Sequence, residues 1–257
     1  MATLVELPAD LLEALAGITS MGVITGAGVS AESGIQTYRG QGGLYDDERE
    51  GDATVEALSA STLNHDPART WRVVSELARK AVDAAPNAAH EAIARIEQTL
   101  ARFVLLTQNV DGLHKLAGSR NVIDIHGDVL DTRCRDCGLR GRLTPDAVRA
   151  LQSTPLCGEC GGILRPDAVL FGEMLPEDKI RRLHSELYED PPDLVLIAGT
   201  TAVFPYIAEP VVMAGRRGRL TVEVNPEPTV VSEHVRWSLR GRAGEILPLI
   251  ADALTSA

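Results

Sequence analysis

The sequence contains few lysines, no long uninterrupted apolar run and no extended basic run, and each absence excludes a class of protein. Lys80, Lys115 and Lys179 are the only lysines, and 36 acidic against 25 basic residues give a formal net charge of −11. Such a chain does not offer the broad positive surface with which proteins bind nucleic-acid phosphates. The composition does not exclude a local basic groove, but we expect no direct readout of nucleic acid.

Membrane and secretory proteins are also disfavoured. The most apolar stretch, residues 194–212, is interrupted by Gly199, Pro205 and Glu209. A membrane span needs about 20 consecutive apolar residues, so this stretch predicts a buried strand, a loop and the start of a helix. The first sixteen residues contain acidic side chains and no basic one, unlike a secretory signal. We expect a cytoplasmic protein with reduced thiols and no membrane contact.

The composition is that of a globular protein, with 44% hydrophobic and 24% charged residues among 257. Apolar runs without polar alternation predict buried strands, and apolar residues at helical spacing predict helices between them. The strands are expected at 22–25, 103–107, 122–125, 193–198 and 220–224, and the helices at 9–21, 67–82, 87–99 and 242–254. This alternation indicates an α/β fold with a parallel sheet covered on both faces.

All four cysteines lie in the one segment that breaks this alternation. Cys134-x-x-Cys137 and Cys157-x-x-Cys160 are separated by residues 138–156, and a glycine follows each pair. The spacing is typical of a structural zinc site, because two such turns offer four sulfurs to one tetrahedral ion. Two disulfides are the first alternative, disfavoured in a reducing compartment, and four unrelated thiols are the second, disfavoured by the regular spacing. Four thiolates leave no position for water, so the ion is expected to fold a small module.

A glycine-rich turn follows the first predicted strand. Gly26-x-Gly28-x-x-Ala31 matches the loose dinucleotide-binding fingerprint, in which glycines let the backbone approach a pyrophosphate. A tight strand-to-helix turn is the alternative. The acid expected about 20 residues later has candidates in Asp46 and Asp47, but no strand precedes them. This argues against an ordinary hydride-transferring dehydrogenase.

Several longer motifs occur in a characteristic order. They are GAGVSAESGIQTYR at 26–39, TQNVDGLH at 107–114, His126-Gly127 just before the cysteine segment, and then Phe171-Gly172-Glu173, Gly199-Thr200-Thr201, Asn225-Pro226-Glu227 and residues 238–248. Together they resemble the sirtuins, the NAD-dependent protein lysine deacylases, and the tail is similar to bacterial members. The resemblance covers nearly the whole chain.

The resemblance implies a fold and a reaction. The fold is a Rossmann-like parallel-sheet domain (1–38, 62–130 and 166–257) with a flexible cofactor-binding loop and helical insertion (39–61) and a zinc ribbon (131–165). Family members release nicotinamide from NAD and transfer the acyl group of an acyl-lysine protein or peptide to ADP-ribose. The expected cofactors are NAD as co-substrate and one structural zinc held by Cys134, Cys137, Cys157 and Cys160.

The resemblance also implies three catalytic residues. His126 is the general base, since imidazole can take a proton from a ribose hydroxyl near neutral pH. Asn109 binds ribose hydroxyls or a water, and Asp111 accepts from the nicotinamide carboxamide. A structural hydrogen bond is the alternative for His126, and a cap on a helix starting near Gly112 is the alternative for Asp111. His114 is the rival base and is taken as supporting, and no role is given to the other histidines.

The remaining implied contacts concern NAD and the peptide. Ile35 lies beside nicotinamide, Tyr38 shields the reaction centre, and Arg39 binds a phosphate, pairs with a carboxylate or is a solvated loop charge. The other NAD contacts are Gly26, Ala27, Gly28 and Ser30 at the pyrophosphate, Gln108 at the nicotinamide-side ribose, and Gly199, Thr200, Thr201, Asn225, Glu227 and Ala243 around adenosine. The substrate peptide is added as a strand along Val169, Leu170, Phe171, Gly172 and Glu173, whose alternative is a plain core strand.

Departures from the family pattern concern the acyl group. Members that remove succinyl or malonyl groups carry a Tyr and an Arg after the glycine pair of the cofactor loop, where this chain has Leu44 and the acidic stretch from Asp46. A carboxylated acyl chain would meet like charge, and Arg49 is the only cation nearby. Neutral acyl groups are therefore predicted, acetyl foremost.

Three other functions are alternatives to deacylation. A mono-ADP-ribosyltransferase on the same scaffold would also release nicotinamide but attach ADP-ribose to protein. A non-catalytic NAD-binding or zinc-ribbon module would show damaged His or Gln-Asn-x-Asp motifs, which are intact here. A dehydrogenase would produce reduced cofactor. The sequence indicates neither the target proteins nor the oligomeric state.

Overall fold

The computed structural model describes residues 6–37 and 48–255, with the backbone alone for residues 48–50. Nine strands form two sheets within these ranges. Their bounds are β1 Ser20–Thr25, β2 Arg102–Thr107, β3 Val122–Asp124, β4 Gly127–Cys134, β5 Arg140–Arg142, β6 Leu164–Ala168, β7 Leu194–Ala198, β8 Leu220–Val224 and β9 Trp237–Leu239.

The larger sheet is entirely parallel and has the spatial order β3-β2-β1-β7-β8-β9. Counting only the strands of this sheet along the chain, the order is 3-2-1-4-5-6, the doubly wound Rossmann arrangement. The strand order reverses between β1 and β7, so the loops after these strands diverge and open a crevice there. The predicted α/β, Rossmann-like fold is confirmed.

Helices cover both faces of this sheet, and an insertion carries further helices. Their bounds are α1 Ala9–Leu15, α2 Ala27–Ser30, α3 Glu48–Ala57, α4 Ala60–His65, α5 Pro67–Asp83, α6 Ala88–Thr99, α7 Leu113–Leu116, α8 Pro145–Ala150, α9 Glu177–Leu183, α10 Pro205–Arg216 and α11 Ala243–Thr255, with a 3₁₀ turn at Ala31–Ser33 and a π-helical segment at His184–Glu189. No helix in the described part of the chain is long and apolar enough to cross a bilayer.

Two apolar cores lie on opposite faces of the large sheet. One packs Val23 and Leu105 against α1, α6 and α11, and the other packs Ile24 and Leu106 against α9 and α10. Alternate residues of one strand thus point into different cores, as strand geometry requires. Burial on both faces explains the unbroken apolar sequence of β1, β2 and β7.

A third core belongs to the insertion. β5, β4 and β6 form an antiparallel sheet, and the core beside it contains Trp71 and Val74 of α5 with Val129, Val148 and Leu170. Helix α5 thus packs with the insertion, although residues 62–130 were assigned to the large domain. The domain boundaries stay a prediction.

One predicted element is wrong in extent. The helix expected at 9–21 ends at Leu15, and Ser20 and Met21 belong to β1. The change occurs because the Ser20 N–H donates to the Asp193 carboxylate and Met21 pairs with Phe103 and Leu194.

Candidate functional site

The predicted NAD-binding residues lie along the carboxyl edge of the parallel sheet. Gln108 follows β2, Gly26 follows β1, Gly199 follows β7 and Asn225 follows β8, while His126 lies just beyond the end of β3. Because the strands are parallel and adjacent, sequence-distant segments form one row in the order His126, Gln108, Gly26, Gly199 and Asn225. This edge is where α/β sheets bind ligands.

The glycines of the first motif have a structural explanation. The loop after β1 crosses the loop after β7 so closely that a Cβ on Gly28 would lie 2.8 Å from Gly199 Cα, and one on Gly199 would lie 2.5 Å from the Val29 nitrogen. The Gly28 N–H donates to the Gly199 carbonyl at 2.8 Å, and the Gly26 N–H donates to Ala198. The N–H groups of Gly26 and Gly28 therefore already donate to protein carbonyls. The close crossing of the two loops explains the glycines of the motif as well as a contact with phosphate would.

Replacing Gly199 with alanine should destabilise the protein more than the same change at Gly218. Both have positive φ (+59° and +74°), but a Cβ at Gly218 meets nothing within 4 Å. Positive φ should cost each alanine variant about 1–2 kcal/mol of unfolding free energy. The clash should cost the Gly199 variant about 1–3 kcal/mol more. Chemical denaturation of both variants measures the difference. Equal losses would contradict the crossing as the reason for this glycine.

Ser30, Asn109 and Asp111 form a buried hydrogen-bonded group. Ser30 Oγ donates to Asp111 Oδ2 at 2.7 Å and accepts from Asn109 Nδ2 at 3.0 Å. Asp111 Oδ1 accepts from the Leu113 N–H at 2.9 Å, the first N–H of α7, although Gly112 and not Asp111 is the N-cap residue of that helix. Burial raises the pKa of Asp111, while the bonds from Leu113 and Ser30 oppose that rise.

A cavity opens beside this group and brings together five of the predicted NAD residues: Ala27, Ser30, Ile35, Asn109 and Asp111. Apolar side chains from the third core complete its wall, among them Leu77 and Val129. The combination of an apolar wall and an acceptor carboxylate suits a flat ring that carries an amide. Ala27 and Ser30, which are predicted to contact the pyrophosphate, line the same cavity as Ile35, Asn109 and Asp111.

Two buried histidines, His90 and His114, lie behind the hydrogen-bonded group of Ser30, Asn109 and Asp111. His90, to which no role was given, is fully buried, and its Nδ1 accepts from the Asn87 N–H while its Nε2 lies 3.4 Å from Ser30 Oγ. Burial lowers the pKa of His90 to about 4. His114 is also buried, and its Nε2 lies 3.0 Å from Thr25 Oγ1. The sequence signal for His90 was its place three residues after the helix cap Asn87, where its side chain completes a capping box.

His126 lies apart from the two buried histidines. Its Nδ1 lies 2.9 Å from the Gln108 carbonyl oxygen, which can only accept, so Nδ1 carries the proton and Nε2 bears the lone pair. Nε2 lies 2.8 Å from the Tyr206 hydroxyl, a contact that no sequence signal indicated. Burial lowers the pKa of His126, the charge of Lys179 lowers it further, and the bond to Gln108 opposes both. A neutral imidazole with a fixed tautomer is suited to accept a proton.

The residues predicted to surround adenosine are joined by backbone and side-chain hydrogen bonds. The Gly199 N–H donates to the Val224 carbonyl, and Asn225 Nδ2 donates to the Glu227 carbonyl at 2.8 Å. The Gln108 amide donates to Thr200 Oγ1 at 2.9 Å, which links the two halves of the row. Thr201 is exposed, and Ala243 is buried at the start of α11.

The predicted peptide-binding segment is not a strand over its whole length, since β6 ends at Ala168. The Phe171 N–H donates to the Leu58 carbonyl, and its own carbonyl accepts from the Ala60 N–H. Leu170 is buried in the third core, while the Phe171 side chain is exposed. Side-chain and backbone acceptors also take the N–H groups of residues 169, 170 and 173. The Gly172 N–H has no partner among the residues that the structure describes.

The four cysteines converge at the tip of the antiparallel sheet. All four Sγ atoms lie within 4.8 Å of one another, with Cys134 to Cys160 at 3.5 Å and Cys137 to Cys157 at 3.7 Å. Zn–S bonds of about 2.3 Å in a tetrahedron place the sulfurs about 3.8 Å apart, so this donor set fits zinc. The sulfurs are too far apart for the alternative of disulfides, whose S–S bond is about 2 Å.

Part of the predicted site lies outside the described residues. Tyr38, Arg39, Leu44 and Asp46 belong to residues 38–47, and the side chain of Arg49 is likewise not described. The expectations based on them stay predictions.

Comparison with known proteins supplies the last observation. The sequence profile of the Sir2 family matches residues 26–205. NAD-dependent protein deacylase 2 of Pseudomonas aeruginosa is 44% identical over 245 residues, which are 94% of this chain and 95% of the relative. A Sir2 homologue–NAD complex superposes with a TM-score of 0.86 at 36% identity, over 98% of this chain and 95% of that one. A Sir2–p53 peptide–NAD complex superposes with a TM-score of 0.80 at 26% identity, over 97% and 99% of the two chains.

Proposed function

The chain belongs to the Sir2 family and is an NAD-dependent protein deacylase, and from that premise we propose which residues perform each part of the reaction. Acyl-lysine, NAD and water give lysine, nicotinamide and O-acyl-ADP-ribose. NAD supplies the ribose that accepts the acyl group. The protein must hold the weakly nucleophilic amide oxygen beneath the ribose, promote departure of nicotinamide, and remove a proton from a ribose hydroxyl.

We assign proton removal to His126, and its geometry is the observation that carries the proposal. Its Nδ1 proton is fixed on the Gln108 carbonyl, so Nε2 is the basic atom, and the lowered pKa keeps that atom unprotonated near neutral pH. His114 does not suit this role. It is buried behind the site, and desolvation holds its pKa well below the usual value.

Asn109 and Asp111 bind the nicotinamide half of NAD in this proposal. Asp111 lines the cavity with Ile35 and is held by Ser30 and the Leu113 N–H, which fixes its carboxylate as an acceptor for the carboxamide. Asn109 Nδ2 donates to Ser30 Oγ and to the Gly26 carbonyl, which positions the amide oxygen for a ribose hydroxyl or a water. Gln108 and Thr200 continue the binding surface toward adenosine.

The peptide binds beside the exposed Phe171 ring. The Gly172 N–H, which has no partner among the described residues, is the donor that a peptide carbonyl would use. Main-chain pairing implies modest selectivity for side chains around the lysine. Arg165 neutralises Glu173 through paired bonds of 2.7 and 2.9 Å, so this edge does not present an unpaired carboxylate to the substrate.

Mass spectrometry of the products tests the reaction and the acyl preference together. We expect nicotinamide and O-acyl-ADP-ribose from peptides bearing acetyl- or butyryl-lysine, with kcat/KM at least tenfold lower for succinyl-lysine, because the cofactor loop carries acidic residues and lacks the Tyr–Arg pair. An unmodified peptide is the control. Higher turnover with succinyl-lysine would contradict the acyl preference while leaving deacylation standing.

ADP-ribosyl transfer to protein is the second candidate. It would use the same release of nicotinamide, and the same mass spectra would show ADP-ribose on the peptide or enzyme. The base geometry of His126 favours deacylation, since transfer to a protein nucleophile does not require a proton to be taken from the ribose.

A further inference from the structure

The hydroxyl of Tyr206 is hydrogen-bonded to Nε2, the basic atom of the proposed catalytic histidine. The Gln108 carbonyl fixes the His126 proton on Nδ1, and Tyr206 Oη lies 2.8 Å from Nε2. Burial raises the pKa of Tyr206 to about 12, so its hydroxyl carries a proton near neutral pH and donates it to the Nε2 lone pair. Nε2 has one lone pair and accepts one donor at a time.

We propose that Tyr206 caps His126 in the free enzyme and that substrate binding must displace the Tyr206 hydroxyl before His126 can accept a ribose proton. The proposal rests on the proposed function of His126 as the base. Tyr206 then acts through His126 and is a positioning residue: it holds the imidazole in its tautomer and excludes water from Nε2 until a substrate hydroxyl replaces it.

The surroundings of Tyr206 suit a side chain that changes partner. Its ring is half-buried and stacks on Phe204 at a centroid distance of 5.5 Å, and Phe204 meets His126 edge-on at 6.4 Å. Phe204 and Val203 are exposed. The aromatic pair thus lies between solvent and the base, where an incoming substrate would meet it.

The loop that leads to Tyr206 is under backbone strain. Ala202 has φ of +54°, the one non-glycine residue with positive φ in the described part of the chain, and it is buried. Its N–H donates to Thr200 Oγ1, which also accepts from Gln108. Such strained positions concentrate at switch segments. The same loop therefore connects Thr200, which is predicted to contact adenosine, with Tyr206, whose hydroxyl is bonded to His126.

Replacing Tyr206 with phenylalanine tests the cap, because it keeps the stacked ring and removes the hydroxyl alone. In the free enzyme the neutral imidazole loses a donor, so the His126 pKa should rise, as measured by histidine NMR titration. Lys179 on α9 also acts on His126, and its partner Asp124 lies at the end of β3, so both must stay unchanged. Tyr188→Phe is the matched control, since its hydroxyl bonds Glu209 Oε2 at 3.1 Å.

Steady-state kinetics test the displacement. Above the His126 pKa, Tyr206→Phe should lower KM for NAD or for the acyl peptide about three- to tenfold and leave kcat within twofold, because only the free enzyme loses a hydrogen bond. The acid limb of kcat/KM should move to higher pH with the NMR pKa. Tyr188→Phe should change neither.

Two results would overturn the proposal. An unchanged His126 pKa in Tyr206→Phe would mean that the hydroxyl does not cap Nε2. A kcat reduced more than tenfold at unchanged KM would mean that the Tyr206 hydroxyl contributes to the reacting complex and is not displaced by substrate. The NMR titration needs no turnover. An inactive wild-type enzyme would therefore count against the proposed function, while the titration would still decide on the cap.

Discussion

Replacing His126 with alanine should lower kcat by about 10²- to 10⁴-fold, the usual contribution of a general base. The side chain bonds only the Gln108 carbonyl and the Tyr206 hydroxyl in the described part of the chain, so its removal should leave the fold intact. Product formation by mass spectrometry and binding of ADP-ribose by calorimetry separate the two effects. We expect ADP-ribose binding within threefold of wild type.

The control for this variant is His184→Ala. His184 is exposed and stacks on Tyr188, away from the carboxyl edge of the sheet, and its loss should not change kcat. The pH profile adds a second check. His126 must be neutral to accept a proton, and burial lowers its pKa below that of an ordinary histidine. Wild-type activity should therefore persist to lower pH than an ordinary histidine base would allow, and fall as the pH passes through that lowered pKa. Normal activity in His126→Ala would mean that another group is the base.

Replacing Cys157 with serine should remove zinc and unfold the insertion. Three thiolates and a poorly acidic hydroxyl bind zinc far more weakly than four thiolates, and binding to structural sites supplies about 10–16 kcal/mol. The zinc content measured by metal analysis should fall from about one ion per chain to near zero, and protease should cleave within residues 131–165. The large sheet shares none of the four ligands, so its α/β circular dichroism should largely persist.

Glu159→Gln is the matched control for the metal site. Glu159 lies between Cys157 and Cys160 and is exposed, so the variant keeps all four sulfurs and should retain zinc. A Cys157→Ser protein that still binds one zinc per chain would contradict the four-thiolate site.

The sequence was informative where one residue type has one physical explanation. β2 and β7 were found because strands buried on both faces are apolar over nearly their whole length. β8 was found from Leu220, Val222 and Val224, although Thr221 and Glu223 lie between them. Helices α5 and α6 were found with nearly the right bounds, and the structure shows the caps that fix their starts: Asp66 accepts from the Arg69 N–H, and Asn87 accepts from the Ala89 N–H. The cysteines converge as their spacing predicted.

The features that were missed depend on long-range contacts. β4 begins at Gly127, inside the motif His126-Gly127, and carries polar residues, so no apolar run marked it. Its pairing with β6 is visible only in three dimensions. Tyr206 reaches His126 across 80 positions of sequence. His90 was given no role because it lies in a predicted helix, whereas α6 buries it behind Ser30.

The position of β1 at the centre of the large sheet has a consequence for how the chain is made. Met21 pairs with Phe103 on one side and with Leu194 on the other, so the central strand emerges first from the ribosome and gains its second neighbour only when most of the chain has been synthesised. Until then a nascent chain carries an apolar strand with an open edge, which is prone to aggregation. Parallel pairing over such separations is also slow. The arrangement that opens the crevice beside β1 therefore leaves one edge of this apolar strand unpaired until β7 has been synthesised.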